Sequence, residues 1–237
     1  MAKTKLFFLP YAGGAAMGYM VMKRLFDEEL FEPVPLELAG RGTRAKESAF
    51  TDVNICVQDL YERIIPQIID CDYAIFGHSL GTIVGFELLR YIEEKGEKLP
   101  KCAIFSGRVA PGIEFPGPKI SGLGDEAFLE KFGLFQALPS EVLNNRKILE
   151  LVLPVLRADV KMSEQYQYKV RKPAKCDFYI FYGKEDCLVT EEGIKSWKDE
   201  TERKIEITCF PGGHFYYKEY KELFTERINK IMTQYVQ

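Results

Sequence analysis

Short apolar runs bounded by turn residues recur along the chain at residues 5–9, 34–38, 73–76, 102–106 and 178–182, and a sixth follows at 205–210. Runs of this length suit strands buried on both faces. Between them apolar residues fall at helical spacing, most plainly over residues 53–69 and 80–94. Strands alternating with such helices predict an α/β architecture, a mostly parallel sheet covered by helices on both faces. Right-handed crossovers then gather the loops that follow the strands along one edge, where open α/β sheets assemble their sites.

Residues 111–168 break the alternation. No strand pattern occurs there, but helical stretches are predicted at 125–132, 140–145 and 147–158. Apolar side chains such as Phe128, Phe132, Leu134, Phe135, Leu138 and Leu156 recur through the segment. Most helical apolar faces pack inward, so these residues are expected to seat the insertion on the core. From its place between the fourth strand and the later loops it is also positioned to act as a lid that lines a pocket. The expectation is one domain over residues 1–237 with this helical insertion inside it.

Composition narrows the function classes. A chain of 237 residues can bury the core of one α/β domain, and a net charge of -3 offers no basis for nucleic-acid binding. The apolar run Leu6-Phe7-Phe8-Leu9 is stopped by Pro10 and is too short for a signal-peptide core. No apolar stretch reaches the ~18 residues of a membrane span, so a cytoplasmic monomer without membrane contact is expected. The six cysteines lack metal-type spacing and read as reduced thiols. With only two histidines, neither spaced with cysteine as a ligand, no metal site is expected.

The chemistry centres on Gly77-His78-Ser79-Leu80-Gly81, which lies between the strand pattern at 73–76 and the helical pattern beginning at Leu80. In that context the serine occupies a sharp strained turn with its hydroxyl exposed, and the glycines keep side chains out of the strand–helix junction. A serine hydroxyl needs a base to take its proton. His78 adjoins Ser79 in a tight turn where successive side chains diverge, which leaves His214, in the turn Pro211-Gly212-Gly213-His214 after the last strand. A carboxylate must fix the tautomer and stabilise the imidazolium, and in α/β-hydrolases it falls between serine and histidine in chain order. Asp186, in the turn after the strand at 178–182, fits; Glu185 is its rival, and Asp159 lies in the insertion rather than after a strand. For the oxyanion, Leu80 supplies one backbone donor, and Ala12, in the small-residue turn Pro10-Tyr11-Ala12-Gly13-Gly14, is the candidate for the second.

Those segments, together with Gly40-Arg41-Gly42, Arg44, Leu156-Arg157-Ala158-Asp159 and Pro211-Gly212-Gly213-His214-Phe215, resemble the type II thioesterases over nearly the whole chain. The resemblance implies an α/β-hydrolase fold and hydrolysis of acyl thioesters from the phosphopantetheine arm of carrier domains, which would be the partners. It assigns Ser79, Asp186 and His214 the same three roles and calls for no cofactor. The chain departs from the family pattern at Met22, Ala39 and Cys187, positions that bear on acyl preference and loop shape rather than on the triad. Arg41 and Arg44 could serve as surface charges, structural ion-pair partners or carrier contacts, of which the structural role is expected, and the basic stretch Lys169, Arg171, Lys172, Lys175 could be a solvated linker or a steering patch for an acidic carrier.

An alkyl thiol, with a pKa of roughly 8.5, leaves more readily than an amine or alkoxide, so thioester cleavage suits this set of groups. The same triad would serve a general carboxylesterase or lipase acting on free small esters. A non-catalytic binding protein on the same fold is disfavoured, because every chemical role is filled in the proper order.

Overall fold

The computed structural model describes residues 3–133 and 145–235. Six strands, β1 (Thr4–Leu9), β2 (Phe31–Pro35), β3 (Tyr73–His78), β4 (Cys102–Ser106), β5 (Asp177–Gly183) and β6 (Ile205–Phe210), form one parallel sheet in the order β2-β1-β3-β4-β5-β6. The chain steps outward from β1 to β2 and then crosses back to β3 on the other side of β1. The topological switch point therefore lies between β1 and β3, whose ends are level, Leu9 standing beside Gly77. Ligands of open α/β sheets bind in the crevice at such a point.

The strands form where apolar runs were read, with one displacement. The second was expected at residues 34–38 and is found three positions earlier, at Phe31–Pro35. Pro33 and Pro35 lack an amide donor, which hides this strand from pattern reading, and its edge position is where proline is tolerated.

Helices α1 (Met17–Met20), α2 (Val53–Ile68), α3 (Leu80–Glu94), α4 (Asp125–Gly133), α5 (Arg146–Gln165), α6 (Glu191–Lys195), α7 (Tyr216–Glu219) and α8 (Lys221–Met232) connect or follow the strands. Asp52 caps α2 by accepting from the amides of Asn54 and Ile55. Strand side chains alternate between faces: Phe7, Leu9, Tyr73 and Ile75 pack under α2 and α3, whereas Leu6, Phe8, Ala74 and Phe76 face α8. The single tryptophan, Trp197, is fully buried against Phe86 of α3, Phe105 of β4 and Phe178 of β5.

Within the insertion, α4 matches its expectation to a residue, but α5 continues to Gln165 rather than ending at 158. Its last two turns carry polar residues among which Asp159, Val160 and Met162 are buried. Phe128, Phe132 and Leu156 join the core beneath, as expected. The helix predicted from residue 140 and the side chains of Leu134, Phe135 and Leu138 lie outside the described residues.

Candidate active site

Ser79 sits between the last residue of β3 and the first of α3 with φ 57° and ψ -112°, and it alone among the described non-glycine residues has positive φ. Such a conformation costs about 1–3 kcal/mol and persists only where its surroundings enforce it. The flanking glycines belong to that enforcement. A β-carbon on Gly77 would lie 2.0 Å from the Gly81 carbonyl oxygen, and one on Gly81 would lie 2.5 Å from that of Leu9. Thr82 completes the brace: its Oγ1 donates to Gly77 O (2.8 Å) and accepts from the Ser106 amide (3.1 Å). The Ser79 amide donates to Ser106 O at 2.8 Å, tying the turn to the end of β4.

His214 lines the same cavity as Ser79. Its Nδ1 lies 2.8 Å from Asp186 Oδ2, and because a carboxylate only accepts, Nδ1 carries the proton and Nε2 is left as the basic atom. Asp186 is buried, and its other oxygen accepts from the Leu188 amide at 2.9 Å. Glu185, the rival carboxylate, is exposed. The turn owes its position to backbone bonds from the Lys184 amide to Phe210 O and from the Glu185 amide to Gly212 O, which join the loops after β5 and β6. The structure forms no hydrogen bond between Ser79 Oγ and His214. In sites of this kind that bond often tightens only when substrate arrives.

His78 has a different place. It is fully buried, its Nδ1 is 2.8 Å from Ser106 Oγ, and that hydroxyl is 2.7 Å from Tyr216 OH. Burial, then the nearby His214, push its pKa well below the ordinary value, so it stays neutral and packs 4.8 Å, centroid to centroid, from the His214 ring.

The loop after β1 lies across the switch point. Gly14 N donates to Tyr11 O at 2.8 Å, closing a turn in which Gly13 holds φ 73°, the positive value a type II turn requires in third position. Ala12 and Leu80 both border the cavity that contains Ser79. Leu80 opens α3, so its amide is among those without an intrahelical partner.

This loop is held by a group that sequence reasoning set aside. Asp159 of α5, fully buried, accepts from the Gly13 amide (2.7 Å) and from both Arg41 terminal nitrogens (2.7 Å each). Arg41 also donates to Gly14 O at 3.0 Å. Burial raises the Asp159 pKa while Arg41 and the Gly13 amide act against that rise. Asp159 and Arg41 lie 118 positions apart, and although both stood in recognised segments, local pattern gave no sign that they meet.

Residues 4–234 match the thioesterase domain family. The chain belongs to that family. The gramicidin S biosynthesis protein GrsT of Aneurinibacillus migulanus is 34% identical over 220 residues, covering 93% of this chain and 85% of its own. Among solved structures, ClbQ from the colibactin NRPS/PKS pathway superposes with a TM-score of 0.92 at 31% identity, covering 98% of each chain. BorB, a type II thioesterase from the borrelidin biosynthetic cluster, gives 0.87 at 25% identity over 98% of this chain and 93% of its own. The α/β-hydrolase fold that the family resemblance implied is the fold of these thioesterases, and its parallel sheet is the one the strand–helix alternation anticipated.

Of the other positions singled out in this thioesterase-family sequence, Arg41 and Arg44 are buried ion-pair partners, the latter bonded to Asp59 at 2.7 Å and to Glu47. Arg171 pairs with Glu87 of α3 at 2.8 Å, which makes it a tie to the core rather than part of a free basic stretch. Among the described residues no three His, Cys, Asp or Glu side chains are grouped to hold a metal ion, and no helix is long and apolar enough to cross a membrane.

Proposed function

We propose that this chain is a serine thioesterase that removes acyl groups from the phosphopantetheine arm of carrier domains in nonribosomal peptide or polyketide synthesis. Ser79 is the nucleophile, His214 the general base and Asp186 the group that orients it. The observation that carries the reading is the strained Ser79 turn opening on one cavity with His214, whose far nitrogen is fixed by a buried carboxylate. Family membership and the pathways of GrsT, ClbQ and BorB support the substrate class.

In the first half-reaction Ser79 Oγ attacks the thioester carbonyl while His214 Nε2 takes its proton. The Ala12 and Leu80 amides donate to the oxyanion, Leu80 with the positive end of α3 behind it. Collapse breaks the C–S bond, and the pantetheine sulfur leaves as thiol with the proton from His214. A water molecule, deprotonated by His214, then attacks the acyl-serine ester, and the acid departs as Ser79 regains its proton. The chain's own groups supply every role, so the reading calls on no cofactor or metal. The cytoplasm, where its cysteines stay reduced, is the compartment we assign to it.

The test is a comparison of acyl-loaded carrier protein with simple oxygen esters. Ser79→Ala should lose at least about four orders of magnitude in turnover on the loaded carrier. Unchanged activity in that variant rejects the triad, and a strong preference for oxygen esters with indifference to the carrier moves the enzyme to the general carboxylesterases.

A further inference from the structure

Four arginines of the described chain are buried, and three of them have a carboxylate partner. Arg41 is paired with Asp159, Arg44 with Asp59 and Glu47, and Arg90 with Glu93. Arg108 has none among the described residues, although only 8% of its surface is exposed. Its Nη1 donates to Ser163 Oγ at 2.9 Å, and its guanidinium lies 3.8 Å from the centre of the Phe115 ring. A hydroxyl and an aromatic face return only part of what a buried cation loses on leaving water. The deficit shows in its pKa, which burial pushes down to about 9.

The position of this cation gives the deficit a meaning. Arg108 stands in the loop after β4 and borders the cavity that contains Ser79 and His214. It also borders an adjoining cavity of about 380 Å³, a volume in the range of small-molecule sites, and with Phe115, Ser163 and Glu164 it forms the wall the two share. Glu164 forms no ion pair with it. That carboxylate is engaged by the Ile120 amide at 2.5 Å, the Ser121 amide at 3.1 Å and the Ser121 hydroxyl. The remaining charged residues on the second cavity, Glu114 and Lys119, are exposed.

We propose that Arg108 is an acyl-recognition residue that binds a carboxylate carried at the far end of the acyl group, so that the enzyme takes dicarboxylic acyl thioesters in preference to neutral ones of the same length. The planar fork of a guanidinium matches a carboxylate with two parallel hydrogen bonds, and both are strengthened where water is excluded. An acyl chain whose carbonyl carbon is at Ser79 shares a cavity with Arg108. The phosphate of the carrier arm is the other anion of such a substrate, but the whole pantetheine chain separates it from the reacting sulfur. The proposal rests on the thioesterase reading and adds the substrate class to it.

The experiment measures kcat/KM for N-acetylcysteamine thioesters of succinate, glutarate and adipate against butyrate, pentanoate and hexanoate, matched carbon for carbon. These substrates carry no phosphate. The wild-type enzyme is expected to favour at least one diacid over its matched monoacid by about tenfold or more, the scale of a hydrogen bond to a charged group. Arg108→Gln should lower that ratio by a similar factor, and Arg108→Lys should retain part of it. Thermal unfolding and fluorophosphonate labelling of Ser79 establish that each variant is folded with a competent nucleophile. A wild-type preference for the monoacid at every length overturns the proposal, with or without the variants, and so does a ratio unchanged in Arg108→Gln. Repeating the series on phosphopantetheine separates the two anions: a loss confined to phosphate-bearing substrates assigns Arg108 to the arm and also overturns it. Failure of every thioester to turn over would instead count against the thioesterase reading itself.

Discussion

At the scale of single residues, two buried groups that flank His214 have opposite duties. On the proposed mechanism Asp186 fixes the tautomer of His214 through Nδ1, so Asp186→Asn should reduce kcat by about three to four orders of magnitude, with a small change in KM and in thermal stability. Steady-state kinetics with a circular-dichroism melt checks this; a loss confined to KM would mean that Asp186 does not orient the base. His78 contributes to stability instead. It is neutral in the fold, whereas an unfolded histidine binds a proton near pH 6.5. The unfolded state therefore takes up more protons as pH falls, and the stability present above about pH 6.5 is lost below it. The thermal midpoint should fall between pH 7 and pH 5, and fall less in His78→Asn; equal slopes would contradict the neutral assignment. That Ser79 and His214 border one cavity, with Asp186 bonded to the histidine, was legible in the sequence because each follows a strand and each has few rivals. The unpaired state of Arg108 was not, since charge pairing is a property of neighbours that the chain brings together from afar.

At the scale of elements, α5 of the insertion is joined to the loop after β1 through Asp159 and Arg41. Removing either partner leaves a buried charge uncompensated, which costs about 3–5 kcal/mol. Asp159→Asn and Arg41→Gln should each lower stability, and the double variant should lose less than the sum of the two. All three should lose at least about tenfold in kcat at nearly constant KM, because the loop from which we propose that the Ala12 amide donates is released. Denaturant melts and kinetics on the three variants check this, and destabilisation with unchanged kcat would reduce the pair to a structural tie. The insertion itself could be read from the missing strand pattern, and its packing from Phe128 and Leu156. The length of α5 could not. The polar residues of its final turns look exposed until Arg41 and the β1 loop are brought against Asp159.

For the whole molecule, alternation of short apolar runs with helical spacing was enough to anticipate a parallel sheet, because a strand buried on both faces announces itself locally. The edge strand β2 was misplaced for the converse reason: its two prolines are permitted only by a position in the sheet that no local pattern states. Trp197 touches α3, β4 and β5 together, so its fluorescence reports on the centre of the fold. If residues 1–237 form one domain, urea unfolding followed by this fluorescence and by far-ultraviolet circular dichroism should give coincident transitions; separated midpoints would make the insertion or another part an independent unit.

On the proposed mechanism the acyl group passes through an ester with the hydroxyl of the turn after β3. Acid-quenching the enzyme during its first turnovers with acyl-loaded carrier protein, then mapping peptides by mass spectrometry, tests it most directly. The acyl mass is expected on the peptide containing Ser79 and is expected to be absent from the Ser79→Ala protein. Product release with that peptide unmodified throughout the time course, or an acyl group found on another residue, would contradict it.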